Sequence, residues 1–362
     1  MSFHNIYKGK KVFLTGHTGF KGAWLSLWLS ELGAEVMGYA LKPHTAPSLF
    51  EILGNEKRLI HHVGDVRSYE GLYGVINDFR PEVVFHLAAQ AITKLSYDIP
   101  HETFETNTIG TLNILECIRL VNSIKAAVIV TSDKCYENVE WLWGYRENDR
   151  LGGKDPYSAS KACAELISHS YMRSFFDVPA VATARAGNVI GGGDWAYERI
   201  VPDFVHAIDK GATLEIRSPN ATRPWQHVLE PLSGYLWLGA NLLLKKENIS
   251  GQSFNFGPGG QADKTVQELI DSFIKAIGNG QYILHPLDPD NKKEATLLKL
   301  NCDKALHHLA WRPVLDFDET VDFSAMWYRH FYDKQTDMLT LTSNQISHYT
   351  SLAHQRGLSW TD

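Results

Sequence analysis

In the first half of the chain, short apolar runs alternate with segments whose apolar residues recur at helical spacing. Leu25, Trp28 and Leu32 show this spacing, and Gly33 follows them as a helix stop. The pattern predicts strands at 10–15, 35–41, 61–67, 81–90, from 128 onwards and at 180–185, with helices at 69–79, 100–122 and 158–176. Repeated strand–helix units of this length predict a parallel sheet with right-handed crossovers, in an α/β fold of the doubly wound Rossmann type.

Beyond Gly187 the pattern changes to a glycine-rich loop followed by a mixed region of short elements. Amphipathic helices are predicted at 265–277 and 317–332, and 336–362 is polar and expected to be peripheral. The predicted organisation is a dinucleotide-binding domain over 1–187, to which some later segments return, a smaller mixed α/β lobe over 188–345, and a polar C-terminal tail over 346–362.

Composition excludes several classes of protein. The 362 residues carry a net charge of −6 with both signs interspersed, so no basic block indicates a nucleic-acid partner. The N-terminus lacks the apolar core of a secretory signal, and the most apolar helix candidate, 232–244, is too short to span a membrane. Four dispersed cysteines show neither a disulfide framework nor metal-ligand spacing. We therefore expect a cytoplasmic protein without a membrane, nucleic-acid or metal partner.

A glycine-rich turn joins the first predicted strand to the first helix. Gly16, Gly19 and Gly22 have the spacing of dinucleotide-binding turns, where they allow a tight turn, approach of the backbone to the pyrophosphate, and close helix packing. The N-terminus of the following helix then faces the phosphates. The turn therefore predicts a dinucleotide cofactor at this end of the sheet.

The residues expected around the ribose leave the choice between NAD and NADP open. The NAD motif places an acidic residue about 20 positions beyond the glycines, where this chain has Tyr39-Ala-Leu-Lys42. Lys42 and His44 would favour a 2′-phosphate instead.

Two further strand ends have residues suited to a cofactor. Asp65 either accepts a hydrogen bond from the adenine amino group, with Val66 packed on the ring, or caps the helix predicted at 69–79. Ala88 and Ala89 are small enough for a cofactor to lie across the end of their strand.

Candidate acid–base residues follow the fifth predicted strand and begin the next helix. Ser132, Asp133 and Lys134 come where that strand leaves the sheet, which is the edge at which open α/β sheets bind ligands. Tyr157 and Lys161 are four residues apart and share one helix face. A phenol close to a fixed cation ionises more easily, so we expect this pair to transfer a proton.

Together these segments resemble the extended short-chain dehydrogenase/reductase family, from about residue 10 to about residue 332. The segments that carry the resemblance are Thr15-Gly-His-Thr-Gly-Phe-Lys-Gly22, Gly64-Asp-Val-Arg67, His86-Leu-Ala-Ala89, Asn107-Thr-Ile-Gly-Thr111, Tyr157-x-x-x-Lys161, Arg185-Ala-Gly-Asn-Val189, Arg223-Pro-Trp-Gln-His-Val228 and Leu309-Ala-Trp-Arg-Pro313. Within the family, Ser132-Asp-Lys134 is similar to the Thr-Asp-Glu triplet of nucleotide-sugar 4,6-dehydratases. The whole segment Thr131-Ser-Asp-Lys-Cys-Tyr136 most resembles the dehydratases acting on CDP-D-glucose, in which Lys replaces the Glu.

The resemblance implies a lyase that converts CDP-glucose to CDP-4-keto-6-deoxy-D-glucose and water, in deoxysugar biosynthesis for O-antigen and related lipopolysaccharides. It also implies NAD as cofactor, NADP not being excluded, and a homodimer formed through two long helices. The implied catalytic residues are Ser132, Asp133, Lys134, Tyr157 and Lys161. The implied cofactor-binding residues are Gly16, His17, Gly19, Phe20, Lys21, Gly22, Asp65, Val66, Leu87, Ala88 and Ala89, with Tyr157 and Lys161. Gln90, Asn188, Arg199 and Arg223 are implied for the substrate, and Asn107 is implied to bond to a neighbouring strand.

Alternative functions and roles stay open at this point. A nucleotide-sugar 4-epimerase or C4 reductase of the same fold uses Tyr157 and Lys161 but needs no acid–base pair at Asp133 and Lys134. A non-catalytic NAD(P)-sensing regulator usually lacks the tyrosine or the lysine. In a dehydratase, Lys134 would be the C5 base and would have to be neutral, while a water molecule or Asp133 are alternatives. No residue pattern indicates which nucleotide base is bound.

Overall fold

A seven-stranded parallel sheet forms the centre of the protein. The computed structural model describes residues 2–259, 263–284, 297–334 and 336–362. The strands of the sheet are β1 Lys11–Thr15, β2 Glu35–Ala40, β3 Ile60–Val63, β4 Val83–His86, β5 Ala126–Val130, β6 Ala180–Arg185 and β11 Ser253–Asn255. Their spatial order is β11-β6-β5-β4-β1-β2-β3, and every neighbouring pair is parallel. This order is that of the doubly wound Rossmann fold, so the predicted fold class is confirmed.

Helices connect these strands, and among the described residues three two-stranded sheets follow in the second half of the chain. The helices are α1 Phe20–Glu31, α2 Leu49–Ile52, α3 Tyr69–Phe79, α4 Leu95–Asp98, α5 Pro100–Phe104, α6 Gly110–Leu120, α7 Pro156–Ser174, α8 Ile200–Asp209, α9 Leu229–Leu243, α10 Val266–Ile277, α11 Asp303–Leu309, α12 Phe317–Asp333 and α13 Met338–Gln355. The small sheets pair β7 Val189–Ile190 with β10 Gln226–His227, β9 Thr222–Pro224 with β12 Asp263–Thr265, and β8 Leu214–Ile216 with β13 Tyr282–Leu284. The proposed lobe boundary near residue 187 stays a prediction.

The helix predicted at 100–122 is divided. A π-helical turn at Glu105–Ile109 separates α5 from α6 and contains the buried Asn107. π-helical turns are rare and occur often at functional sites. Asn107 bonds to the backbone of Gln90, in the segment that follows β4, which agrees with the contact between neighbouring segments that the resemblance implied.

The expectation of a peripheral polar C-terminus was wrong. The helix α13 places Ile346, Tyr349 and Ala353 at helical spacing on its buried face. Leu358 and Trp360 follow it into the main core, where Trp360 stacks on Phe3 with ring centroids 5.0 Å apart. The segment is polar on average because only one face of the helix is apolar, and that face is sufficient to dock it.

The most apolar helix, α9, is buried along most of its length and packs against β5 and β6. Within the described ranges, no helix combines the length and the apolar character needed to cross a membrane.

Candidate active site

The carboxyl end of β5 carries the first part of the site. β5 ends at Val130, and Ser132 caps the short 3₁₀ turn that follows by accepting a hydrogen bond from Lys134 N at 3.2 Å. The Ser132 hydroxyl donates to Asp133 Oδ1 at 3.0 Å. The predicted polar triplet therefore lies at the ligand-binding edge of the sheet.

Asp133 is enclosed on several sides. Its side chain is buried, and Asn188 Nδ2 donates to Oδ2 at 3.2 Å. Asn188 has a left-handed backbone conformation with φ of 52°, which brings its amide under the carboxyl group. A Cβ atom on Gly187 would overlap the Asp133 carboxyl group, so only glycine fits there without a shift. The amide of Asn188 therefore bonds to Asp133, and the contact of Asn188 with substrate stays a prediction.

Tyr157 and Lys161 project from the first turns of α7 and are both buried. The helix begins with Pro156, and the Asp155 carboxylate caps it by accepting from Ser158 N at 2.9 Å. The Ser132 hydroxyl is close enough to the Tyr157 phenol to lower its pKa, so the two side chains belong to one cluster.

Burial is the largest influence on the electrostatics of this pair. Burial raises the pKa of Tyr157 to about 12, and the nearby Ser132 hydroxyl offsets only part of that rise. Burial also lowers the pKa of Lys161 to about 8, and Lys161 Nζ is 3.5 Å from the Val130 carbonyl oxygen. Loss of solvation outweighs the nearby charges at the phenol, and the expectation that Lys161 lowers the phenol pKa stays a prediction.

A buried ion pair next to Lys161 was not predicted from the sequence. Glu165, one turn beyond Lys161, accepts hydrogen bonds from Thr131 Oγ1 and, at 2.7 Å, from Arg185 Nη2. Both charged side chains are fully buried. Burial would raise the pKa of Glu165, but the Arg185 guanidinium and the hydrogen bonds lower it to about 2. The 157–161–165 helical spacing was the available signal for Glu165.

The glycine turn after β1 has the conformation that the sequence predicted. Gly16 has a φ of 75°, and a Cβ atom on it would lie 2.7 Å from Ala88 N. A Cβ on Gly22 would overlap the Gly16 carbonyl oxygen, which confirms the close packing of α1 on the turn. Gly19 is the N-cap of α1, and no side chain caps this helix end.

His17 and Lys21 extend from this turn in different directions. His17 packs against Gly38 and shares a 2.7 Å hydrogen bond with His61. Burial and the adjacent His61 lower the pKa of His17 to about 3, so the ring is neutral. Burial lowers the pKa of Lys21 to about 8, and the charge of Arg199 is the second cause of this shift. The charge of Asp133 raises the pKa of Lys21, and the charge of Lys161 lowers it. Phe20 begins α1 and is partly buried.

Residues at the ends of the neighbouring strands form the rest of the candidate cofactor site. Thr15 Oγ1 accepts hydrogen bonds from Leu87 N and Ala88 N, both at 3.1 Å, and so joins β1 to the segment after β4. Asp65 accepts from Arg67 N and pairs with its guanidinium at 2.6 Å. Ser68, not Asp65, is the N-cap residue of α3, so the capping alternative for Asp65 was wrong.

Val66 is buried, and Ala89 lies partly buried beyond Ala88. The side chains of Lys42 and Leu41 are exposed at the end of β2. An uncapped helix end, a glycine turn closed against Ala88, and the Lys21 ammonium suit a dinucleotide with a pyrophosphate group.

Gln90 is engaged inside the protein. Its backbone N–H donates to Asn107 Oδ1 at 2.8 Å, and its side-chain oxygen accepts from Ile92 N at 2.6 Å. Asn107 Nδ2 donates to Ser160 Oγ at 2.9 Å, so the 87–98 loop is joined to α7. These bonds make Gln90 a support of the loop, and its contact with substrate stays a prediction.

Of the two arginines predicted for substrate, one lies near the catalytic cluster. Arg199 pairs with the buried Asp194 at 2.9 Å, and its positive charge lowers the pKa of both Tyr157 and Lys21. Arg223 lies on β9, where its Nη1 donates to the Thr222 carbonyl oxygen at 3.0 Å. Its role in binding substrate stays a prediction.

Comparisons with known proteins agree with this geometry. The family model described as GDP-mannose 4,6 dehydratase matches residues 13–323. A CDP-glucose 4,6-dehydratase of Salmonella typhimurium is 47% identical over 356 residues, covering 96% of this chain and 98% of that protein. A dTDP-glucose 4,6-dehydratase of Streptomyces antibioticus is 29% identical and covers 68% of this chain and 70% of that protein.

Solved structures share the fold. The dTDP-glucose 4,6-dehydratase of Streptomyces venezuelae, solved with NAD and TYD bound, has a TM-score of 0.75 at 22% identity and covers 91% of this chain and 99% of that chain. The UDP-glucose 4-epimerase of Thermotoga maritima, solved with UDP-glucose, has a TM-score of 0.77 at 22% identity, covering 89% and 99%. The present chain belongs to the GDP-mannose 4,6 dehydratase family, the nucleotide-sugar dehydratases of the extended short-chain dehydrogenase/reductase class that its motifs indicated.

Proposed function

We propose that the protein is a CDP-glucose 4,6-dehydratase, a hydro-lyase that converts CDP-D-glucose to CDP-4-keto-6-deoxy-D-glucose and water. The near full-length similarity to the Salmonella enzyme supports the substrate and the reaction. The product would be a precursor of deoxysugars, including those of O-antigen and other lipopolysaccharides.

The observation that carries this proposal is the buried Asp133 beside Ser132 and Tyr157. Oxidation and reduction at C4 need a proton-transfer residue such as Tyr157 but no second acid. Elimination of the C6 hydroxyl needs an acid for the leaving group, and Asp133 occupies the same cluster. The arrangement therefore favours a dehydratase over an epimerase.

In the first step, Tyr157 would take the proton of the C4 hydroxyl while Ser132 holds the C4 oxygen. Bound NAD would supply the hydride acceptor for C4 and the hydride donor for C6, and the positive charge of its oxidised ring would favour the phenolate. Lys161, held near the Val130 carbonyl oxygen and Glu165, would add a second positive charge and contact the cofactor ribose.

The ketone at C4 then acidifies the C5 proton. Lys134, in its neutral form, would remove this proton, and a protonated Asp133 would donate to the C6 hydroxyl, which leaves as water. The hydride removed from C4 would be delivered to C6, and a proton that has exchanged with solvent would be delivered to C5, so the reaction would consume no net oxidant or reductant. A water molecule or Asp133 itself are the alternatives to Lys134 as the C5 base.

We propose NAD as the cofactor, in line with the NAD found in related structures. The proposed NAD contacts are Gly16, His17, Gly19, Phe20, Lys21, Gly22, Asp65, Val66, Leu87, Ala88 and Ala89, with Tyr157 and Lys161. For the nucleotide diphosphate we propose Arg199 and Arg223, because guanidinium groups bind phosphate in a bidentate way, with Asn188 and Gln90 nearby.

We further propose a homodimer formed through α6 and α7. Apolar side chains on these helices and on the turns beside them are exposed, which a second copy would cover: Phe104, Ile109, Leu120, Leu166 and Phe175. The four cysteines are free thiols, which supports a reducing compartment such as the cytoplasm.

The test is to incubate the purified protein with CDP-glucose, UDP-glucose and dTDP-glucose, each with NAD or NADP, and to identify products by NMR. We expect a 4-keto-6-deoxy product from CDP-glucose with NAD. A 4-epimer would assign the epimerase function instead, and retention of substrate by all six mixtures would contradict the proposal.

A further inference from the structure

The amino group of Lys134 has a neutral partner. Lys134 Nζ donates a hydrogen bond to Thr93 Oγ1 at 2.9 Å. Within residues 2–259, 263–284, 297–334 and 336–362, Lys134 forms no ion pair with a carboxylate. A carboxylate partner would stabilise the ammonium and oppose loss of its proton, whereas a hydroxyl accepts an N–H from either the ammonium or the neutral amine.

The Thr93 hydroxyl is held by the loop that carries it. One residue before Thr93, the backbone of Ile92 bonds at both ends to the Gln90 side chain, at 2.6 and 3.1 Å. Three residues after it, Ser96 Oγ donates to the Thr93 carbonyl oxygen at 2.6 Å and accepts from Tyr157 N at 3.2 Å. The same loop is therefore bonded to the start of α7 and to the Lys134 amine.

We propose that Thr93 is a positioning residue that directs the Lys134 amine towards C5 of the substrate, an inference that rests on the proposed dehydratase function. Thr93 Oγ1 accepts one N–H of the amine, and this bond leaves the nitrogen lone pair free for the C5 proton. In the step itself the C5–H bond breaks and an N–H bond forms on Lys134, while its electron pair becomes part of the enolate at C4. Thr93 neither gains nor loses a proton.

The loop connects two catalytic groups that act at different stages. Tyr157 serves the C4 hydroxyl, and Lys134 serves C5. Because the Thr93 side chain bonds only to the second of these, its removal should affect elimination and leave C4 oxidation intact. A purely structural role of the loop would instead impair both stages, because Ser96 joins the same loop to Tyr157 N.

The test compares Thr93→Val, which keeps the shape and removes the hydroxyl, with Thr93→Ser, which restores it. Thr350→Val is the matched control, because Thr350 Oγ1 is also partly buried and bonds only to the Ile346 carbonyl oxygen, on α13. Single turnovers with CDP-glucose in D₂O are quenched and analysed for the 4-keto-glucose nucleotide and for deuterium at C5.

We expect T93V to form the 4-keto-glucose nucleotide at the wild-type rate and to slow product formation and C5 exchange by about tenfold, the effect of one lost hydrogen bond. T93S should recover most of the rate, and T350V should match the wild type. Equal loss of both stages in T93V, or no change in C5 exchange, would overturn the proposal.

A second readout keeps the inference separate from the proposed function. The rate of acylation of Lys134, mapped by mass spectrometry, reports the Thr93 contact whether or not CDP-glucose is converted. We expect T93V to change this rate severalfold and T350V to leave it unchanged, and an unchanged rate in T93V would refute the positioning role. Wild-type protein that leaves CDP-glucose unconverted would refute the function itself.

Discussion

Replacing Gly187 with alanine perturbs the Asp133 carboxyl group while Asp133 itself stays unchanged. A Cβ at position 187 would overlap this group, which Ser132 and Asn188 hold from other sides. The carboxyl group must therefore withdraw by on the order of 1 Å, and a displacement of that size at a reacting group lowers the rate by about 100-fold. The backbone at Gly187 is outside the left-handed region, so alanine adds no strain of its own.

The assay for Gly187→Ala is steady-state conversion of CDP-glucose, with thermal unfolding as the folding check. We expect kcat to fall about 100-fold while KM changes little, because Asp133 acts on the leaving hydroxyl in the reaction and not on the nucleotide. The matched control is Gly74→Ala on α3, where an added Cβ meets nothing within 4 Å. A folded G187A protein with the wild-type kcat would refute the role of Asp133.

Three further predictions concern stability and cofactor binding. Glu165→Gln leaves the buried Arg185 without its carboxylate, so urea unfolding should show a loss of about 3–5 kcal/mol; a loss below about 1 kcal/mol would contradict this. Burial raises the pKa of Glu230 from 4.5 to about 7, so between pH 4.5 and about pH 7 the folded protein keeps a proton that the unfolded protein loses. The free energy of unfolding should therefore decline as the pH rises through this window, and Glu230→Gln should flatten the decline. Gly22→Ala should lower the melting temperature, because its Cβ would overlap the Gly16 carbonyl oxygen. Gly19→Ala should keep the melting temperature, because its Cβ lies at an ordinary 3.4 Å from the same oxygen, and should weaken NAD binding measured by calorimetry. The opposite pattern would reverse the two assigned roles.

Most of the sheet could be predicted because its strands are buried on both faces. β4 and β5 are buried at every position, and β1 and β5 end where Gly16 and the polar residues Thr131 and Ser132 begin. Parallel strands have little freedom in how they connect, so the order of the elements determines which ends meet at one edge. That is why Ser132 and Tyr157 could be placed in one site from their sequence positions.

The parts that could not be predicted depend on contacts between distant segments. The Lys134–Thr93 bond joins residues 41 positions apart, and nothing near either residue indicates the other. The pKa of Tyr157 rises because surrounding elements exclude water, which the Tyr–Lys spacing does not report. The docking of α13 was missed because average polarity hid one narrow apolar face.

The most direct test of the proposed reaction is to follow the hydrogen of C4. CDP-glucose carrying deuterium at C4 is incubated in ordinary water with the enzyme and NAD, and the product is examined by NMR. The proposed reaction gives a 4-keto-6-deoxy sugar with the deuterium in the C6 methyl group and a solvent proton at C5. Deuterium retained at C4 of an epimerised sugar would contradict it.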